Sequence, residues 1–331
     1  TMTVWFNLAK VIELTMSDVQ FKPKNFEDVL NRYLQILQEK LAESMAQAIP
    51  WEKLWNEINP SPLLSGTIQE CMEQGLDVSQ FGTKYVTSGV MCAGIGTVVD
   101  SLAAIRYLVF EEKLLSFAEL QKILSNNWQE AEELRLIAWK RAPKWGNGDA
   151  HVDLLARTVV DYAADLIEHT PNAKGGFYQM GLWSIDWIIE AGSLTSATPE
   201  GRRKGDVLSK NTSSTIGCDH EGVSGVMESV CCLDATKFAD GMVLDVMLPS
   251  STVKGDAGIE LICSLVRSFF AKGGFFIHFN ILSPEELKEA QQHPEKYQNL
   301  QIRLCGWNVR FIDLSEKMQN CLIQEAENLE M

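Results

Sequence analysis

Side chains able to do acid-base, nucleophilic or metal chemistry are scattered along this 331-residue sequence. None of the five histidines (His151, His169, His220, His278 and His293) has a G-x-S-x-G elbow beside it, so a hydrolase triad lacks its nucleophile. His278 stands in an apolar run and reads as a satisfied core residue, not a general base. Cys218-Asp219-His220 and the pair Cys231-Cys232 contain metal-ligand types. No C-x-x-C or H-x-x-x-H spacing accompanies them, and adjacent cysteines cannot easily both meet tetrahedral geometry, so no metal site is expected. Ala93-Gly94-Ile95-Gly96 offers a Gly-x-Gly core, but the third glycine is missing. No clear strand and no downstream acidic ribose ligand frame it as a dinucleotide loop would require. There remains Gly306, a lone glycine inside the bulky stretch Arg303-Leu304-Cys305-Gly306-Trp307-Asn308-Val309-Arg310-Phe311. Read as an extended strand, such a glycine marks a bulge or a close backbone approach. Cys305 would then point to the opposite face and serve packing.

The stretch around Gly306 closely resembles the radical-bearing loop of the glycyl radical enzymes, and further blocks follow in that family's order. Asp100-Ser101-Leu102-Ala103-Ala104-Ile105, running on to Lys113, resembles the family's segment just ahead of a helical stretch. Lys144-Trp145-Gly146-Asn147-Gly148-Asp149 is similar to its lysine-aromatic-glycine-asparagine turn, with Trp145 and Gly148 replacing the usual tyrosine and aspartate. Ala197-Thr198-Pro199-Glu200-Gly201-Arg202 matches a further signature. His278-Phe279-Asn280 and Ala290 to Tyr297 then lead to the glycine loop, where Trp307 stands in place of a common tyrosine.

The resemblance implies that Gly306 stores an unpaired electron. A Cα radical is stabilised when the donating amide nitrogen and withdrawing carbonyl are coplanar, and a Cβ would crowd that centre. It also implies half of a ten-stranded α/β barrel, helix-rich and ending in a glycine radical loop. Residues 1–190 would be the C-terminal part of the pyruvate-formate-lyase-like barrel domain and 191–331 the glycine radical domain. The implied activity is that of a formate C-acetyltransferase-like (pyruvate formate lyase-like) enzyme. The alternatives are a glycyl radical dehydratase or lyase, and a non-catalytic, radical-donating subunit of a split enzyme.

The implied partners are a radical S-adenosylmethionine activating enzyme, an N-terminal half carrying the catalytic cysteine loop, and a small-molecule substrate, with a homodimer possible. None of the eight cysteines occupies the family's thiyl-forming position, so the chain is expected to be incomplete alone. No bound cofactor is expected besides the post-translational glycyl radical. Ile302, Leu304, Trp307, Val309 and Phe311 are expected to seal Gly306 from water and from the oxygen that would quench it. Arg303 and Arg310 are expected to hold the loop by ion pairs.

Composition agrees without choosing a chemistry. A net charge of -15, from 29 basic against 44 acidic residues, argues against a nucleic-acid or anionic-membrane surface. No apolar run reaches the roughly 18 residues of a membrane span, and scattered cysteines suit a reducing compartment, so a cytoplasmic protein is expected.

Positioning elements are legible in the periodicity. Asn25 caps an apolar stripe from Phe26 through Tyr33 and Leu41 to Met45, which predicts a long amphipathic helix. A second helix is predicted from Gly258 to Ala271, with Gly273 as its stop. Phe275 to Phe279 then reads as a buried strand. Ser283-Pro284-Glu285-Glu286 starts a helix with a capping box, and Ser315 caps a last one through Ile323. Pro60–Pro62, Pro143–Asp149 and Ser193–Gly222 read as connections.

Overall fold

The computed structural model describes residues 2–329. Its spine is a run of parallel strands: β1 (Met2–Asn7), β2 (Ser88–Ala93), β3 (Tyr178–Leu182) and β4 (Gly241–Met242) pair in sequence order. At Val243 the pairing changes partner. The Val243 N–H still donates to Leu182, whereas that of Leu244 donates to Phe276, so β5 (Leu244–Leu248) continues the chain and pairs in parallel with β6 (Ile277–Ile281). Each strand therefore lies beside its sequence neighbour, and helical crossovers join them, as parallel pairing requires.

β2 and β5 are buried at every position, the pattern of strands covered on both faces. The long helix Phe26–Ile58 starts where the Asn25 side chain accepts from the Asp28 N–H, and it buries Val29, Tyr33, Leu37 and Leu41. Helix Ile95–Ile105 is buried on all sides and follows β2 with only Gly94, in the left-handed region, between them.

A second apolar cluster carries the C-terminal segment. Helix Pro284–Gln292 and helix Glu316–Asn328 enclose Leu287, Met318 and Leu322 together with Ile302, Leu304 and Phe311. Ser283 and Ser315 each cap their helix by accepting a backbone N–H, from Glu286 and Met318.

Several expectations need correction. The segment from Asp100 to Lys113 does precede a helix, Phe117–Ser125, but is itself largely helical: Asp100 to Ile105 is the second half of Ile95–Ile105, and a π-helical turn Arg106–Glu111 follows. A strand, β2, does lead into the Gly-x-Gly segment. The predicted strand at Phe275 starts two residues later, at Ile277, and is not interior throughout: Ile281 at its end is exposed, as is Phe275 ahead of it. Helix Gly255–Ala271 begins before Gly258 and leaves Ile259 and Phe270 exposed. The last helix continues past Ile323 to Asn328.

Candidate functional site: the Gly306 hairpin

Gly306 does not lie in an extended strand. β7 (Gln301–Leu304) and β8 (Trp307–Arg310) pair antiparallel, with Leu304 opposite Trp307. Cys305 and Gly306 form the two-residue turn between them, both with positive φ (46° and 89°). That conformation matches the right-handed strand twist of a tight hairpin and favours glycine. A Cβ built on Gly306 would meet only the Phe276 ring, at 3.9 Å. Backbone conformation, not lack of room, is therefore what restricts this position.

The expected shell is unevenly covered. Ile302, Leu304 and Phe311 are buried against the C-terminal helices, whereas Val309 is half-buried and Trp307 is 68% exposed. Ile302 and Leu304 are directly opposed to Val309 and Trp307, so all four share one face, and the difference lies in how far the helices cover each strand. Gly306 itself is half-exposed at the open end. Arg310 makes the expected ion pair, to Asp313, but Arg303 instead donates to Asn308 Oδ1 across the hairpin.

Two asparagines fix the hairpin. Asn280 on β6 donates to the Arg303 carbonyl and accepts its N–H, both at 2.9 Å, and so replaces a strand-strand bond at β7. Asn211 holds the turn: its Oδ1 accepts from the Cys305 thiol at 2.8 Å and from the N–H and hydroxyl of Ser184 at 2.8 and 3.0 Å. Cys305 Sγ in turn accepts the Ile185 N–H at 3.2 Å. Burial, helped by the nearby charge of Asp245, pushes the Cys305 thiol up to about 11, so the sulfur stays protonated and can donate. Cys305 is therefore an anchor, not a packing residue on an opposite face.

Behind Asn211 lies a buried carboxylate. Asp245 Oδ2 accepts from Asn211 Nδ2 at 2.7 Å, and Oδ1 meets His278 Nδ1, directly across the β5–β6 pairing, at 2.7 Å. His278 is thus paired on one nitrogen, while its buried Nε2 has no hydrogen-bond partner among the described residues. Lys210 reaches Asp245 at 3.9 Å and Glu325 at 3.1 Å. Burial opposes its charge, but Glu325 and Asp245 outweigh that, and Lys210 holds its proton more tightly than an ordinary lysine. Composition and periodicity did not single out Asn211, Lys210 or Asp245. An aspartate inside the apolar run Leu244–Leu248 was a usable signal, since an ionised group in a core strand needs partners.

The signature blocks prove to be neighbours in space. Asp100 accepts from the Trp145 N–H and from the Thr215 hydroxyl, and Ser101 donates to Glu200. Trp145 Nε1 donates to the Thr212 carbonyl, and Asn147 to that of Cys218. Burial pushes the Asp100 carboxyl up to about 7 against the opposing pull of Lys144. These bonds tie the long connection 193–222 to helix Ile95–Ile105 and so place Asn211 under the hairpin. The Gly-x-Gly segment serves the same purpose: Thr97 N–H donates to Ser209 Oγ and the Ser209 N–H returns a bond to Thr97 Oγ1, both at 2.9 Å. The helix start is occupied from within the chain.

The other candidate groups are dispersed. Cys231 and Cys232 donate to the carbonyls of Phe269 and Asp153 respectively, and His220 is exposed while Cys218 is buried. Among the described residues no group of three or more metal-ligand side chains comes together, and no helix is long and apolar enough to cross a membrane.

Known proteins match along nearly the whole chain. The family model for pyruvate formate lyase-like proteins matches residues 1–192, and that described as glycine radical matches residues 208–312. The trans-4-hydroxy-L-proline dehydratase of Clostridioides difficile is 28% identical over 98% of this chain and 43% of its own length. The (2S)-3-sulfopropanediol dehydratase of Klebsiella oxytoca is 30% identical over 82% of this chain and 33% of its own. The glycerol-bound B12-independent glycerol dehydratase of Clostridium butyricum superposes with a TM-score of 0.91 at 32% identity, covering 97% of this chain and 42% of that one. The chain thus spans less than half the length of these relatives.

Proposed function

The chain belongs to the glycyl radical enzymes, and from that premise we propose that Gly306 stores the radical of a dehydratase or related lyase. The observation that carries the reading is the Gly306 turn itself. A glycine at φ 89°, at a hairpin tip held through the side chain of its neighbour Cys305, can be presented to a partner by movement of the tip without unfolding the core. The expected formate C-acetyltransferase activity gives way to the dehydratase and lyase alternative, because relatives matched along most of this chain bear dehydratase names.

In this reading an activating enzyme of the radical S-adenosylmethionine class removes one hydrogen atom from the Gly306 Cα. The electron left behind spreads over the flanking amide nitrogen and carbonyl. The thiol that relays the vacancy to a small-molecule substrate would come from outside residues 1–331, and Cys305 is engaged as an anchor. Barrel residues supplied with that thiol would close the open face at Trp307 and complete the exclusion of oxygen and water. Anaerobic activation followed by electron paramagnetic resonance tests the proposal. A glycine-centred doublet is expected from the parent and none from Gly306→Ala; a signal that survives the substitution would place the radical elsewhere.

A further inference from the structure

Asn211 links the Gly306 turn to the barrel strand β5 through Cys305 and Asp245. It is fully buried and adopts a positive φ of 50°, a conformation that asparagine tolerates better than most residues. Its amide has no freedom to flip. Nδ2 must face the acceptor-only carboxylate of Asp245, and Oδ1 must then face the Ser184 N–H, the Ser184 hydroxyl and the Cys305 thiol. The Asp245 carboxylate is itself oriented by His278 across the β5–β6 pairing. A chain of buried hydrogen bonds therefore runs His278, Asp245, Asn211, Cys305 and ends beside Gly306. The tip is tied to the rest of the molecule through Cys305 Sγ, which donates to Asn211 and accepts the Ile185 N–H, whereas the stem has the Asn280 clamp and an apolar core.

We propose that Asn211 is a positioning residue whose bond to the Cys305 thiol latches the hairpin tip closed, so that release of this bond sets how readily Gly306 is exposed. The inference rests on Gly306 being the radical site and adds the device that gates it. A latch of this kind opposes activation and prolongs radical life through the same bond, because the open tip is the form that both an activating enzyme and oxygen reach. Because the donor is a thiol, a serine at position 305 keeps an O–H donor and should preserve part of the latch, whereas alanine removes it.

The test begins without any radical. Hydrogen exchange of amides 305–308 and the alkylation rate of Cys305 are measured on the anaerobic chain for the parent, Asn211→Ala, Cys305→Ala and Cys305→Ser, alongside the urea midpoint of each. Loss of one hydrogen bond is expected to speed tip exchange about five- to ten-fold in the two alanine variants. Cys305→Ser should lie between them and the parent, and Asn211→Ala should make Cys305 alkylate faster while the exposed Cys263 does not change. With the activating enzyme added, the doublet of Asn211→Ala and Cys305→Ala should grow faster and decay faster in air, which a merely structural role would not produce. Unchanged tip exchange in Cys305→Ala, a variant that leaves the other Asn211 bonds in place, overturns the latch. Faster exchange with a silent Gly306 would sustain the latch and overturn the radical reading alone.

Discussion

The residue that matters most to the site after Gly306 is Asp245. Its two oxygens satisfy His278 and Asn211 separately, so removing the carboxylate leaves two buried polar groups without partners. Asp245→Ala is expected to lower the unfolding free energy by about 3 kcal/mol in urea titration, whereas an equivalent loss at exposed Asp313 should stay below about 1 kcal/mol. Equal losses at the two sites would show that the buried network carries no special weight. Asp100 gives a pH-dependent counterpart. Its folded carboxyl titrates near 7 through burial, above its unfolded value, so the native chain binds the extra proton between those two pH values. Stability owed to this group is present in acid below the unfolded value and is lost as pH rises through about 7. Asp100→Asn should therefore flatten that part of the stability profile, and an unchanged slope would contradict the shift.

At the scale of elements, local signals served well where one stretch determines the outcome. Asn25, Ser283 and Ser315 each cap the helix predicted from them, since a side-chain oxygen meeting the first free N–H groups depends on nearby residues alone. The hairpin reads in sequence as one extended strand because Cys-Gly is not among the strong turn pairs, and only the fold reveals that Leu304 and Trp307 face each other. The Asn211, Asp245 and His278 network was hidden for a different reason. Its members are 34 and 33 residues apart: Asp245 and His278 meet through strand pairing, and Asn211 reaches them from a long connection docked on β5. Asn280 offers the test at this scale. Asn280→Ala removes both bonds to Arg303, and amides of β7 are expected to exchange about ten-fold faster while helix Phe26–Ile58 is unaffected. Uniform acceleration across the chain would mean that the clamp stabilises the whole fold and not the hairpin.

Across the whole molecule, the chain forms half of an α/β barrel of the glycyl radical enzyme type, with its sequential parallel strands, helical crossovers and C-terminal glycine hairpin. This much was legible from the resemblance blocks, although composition and periodicity alone left the barrel unspecified. The blocks could be read because the polar ties they form, from Asp100 to Trp145 and from Ser101 to Glu200, fix the same connection that carries Asn211. Apolar groups remain uncovered along β6 and the hairpin, where Phe275, Ile281 and Trp307 are exposed. Patches of this kind mark surfaces that bind something apolar. Trp307 fluorescence in a chain extended by the family's upstream barrel residues should shift to the blue relative to residues 1–331 alone; an unshifted spectrum would leave the open face without its proposed cover. The central claim concerns Gly306, and isotopic substitution tests it most directly. Spectra recorded anaerobically after activation, on chain labelled with α-deuterated glycine, should show the doublet collapse towards a single line, because the splitting comes from the remaining Cα hydrogen. A doublet that keeps its splitting in the deuterated chain would contradict the assignment.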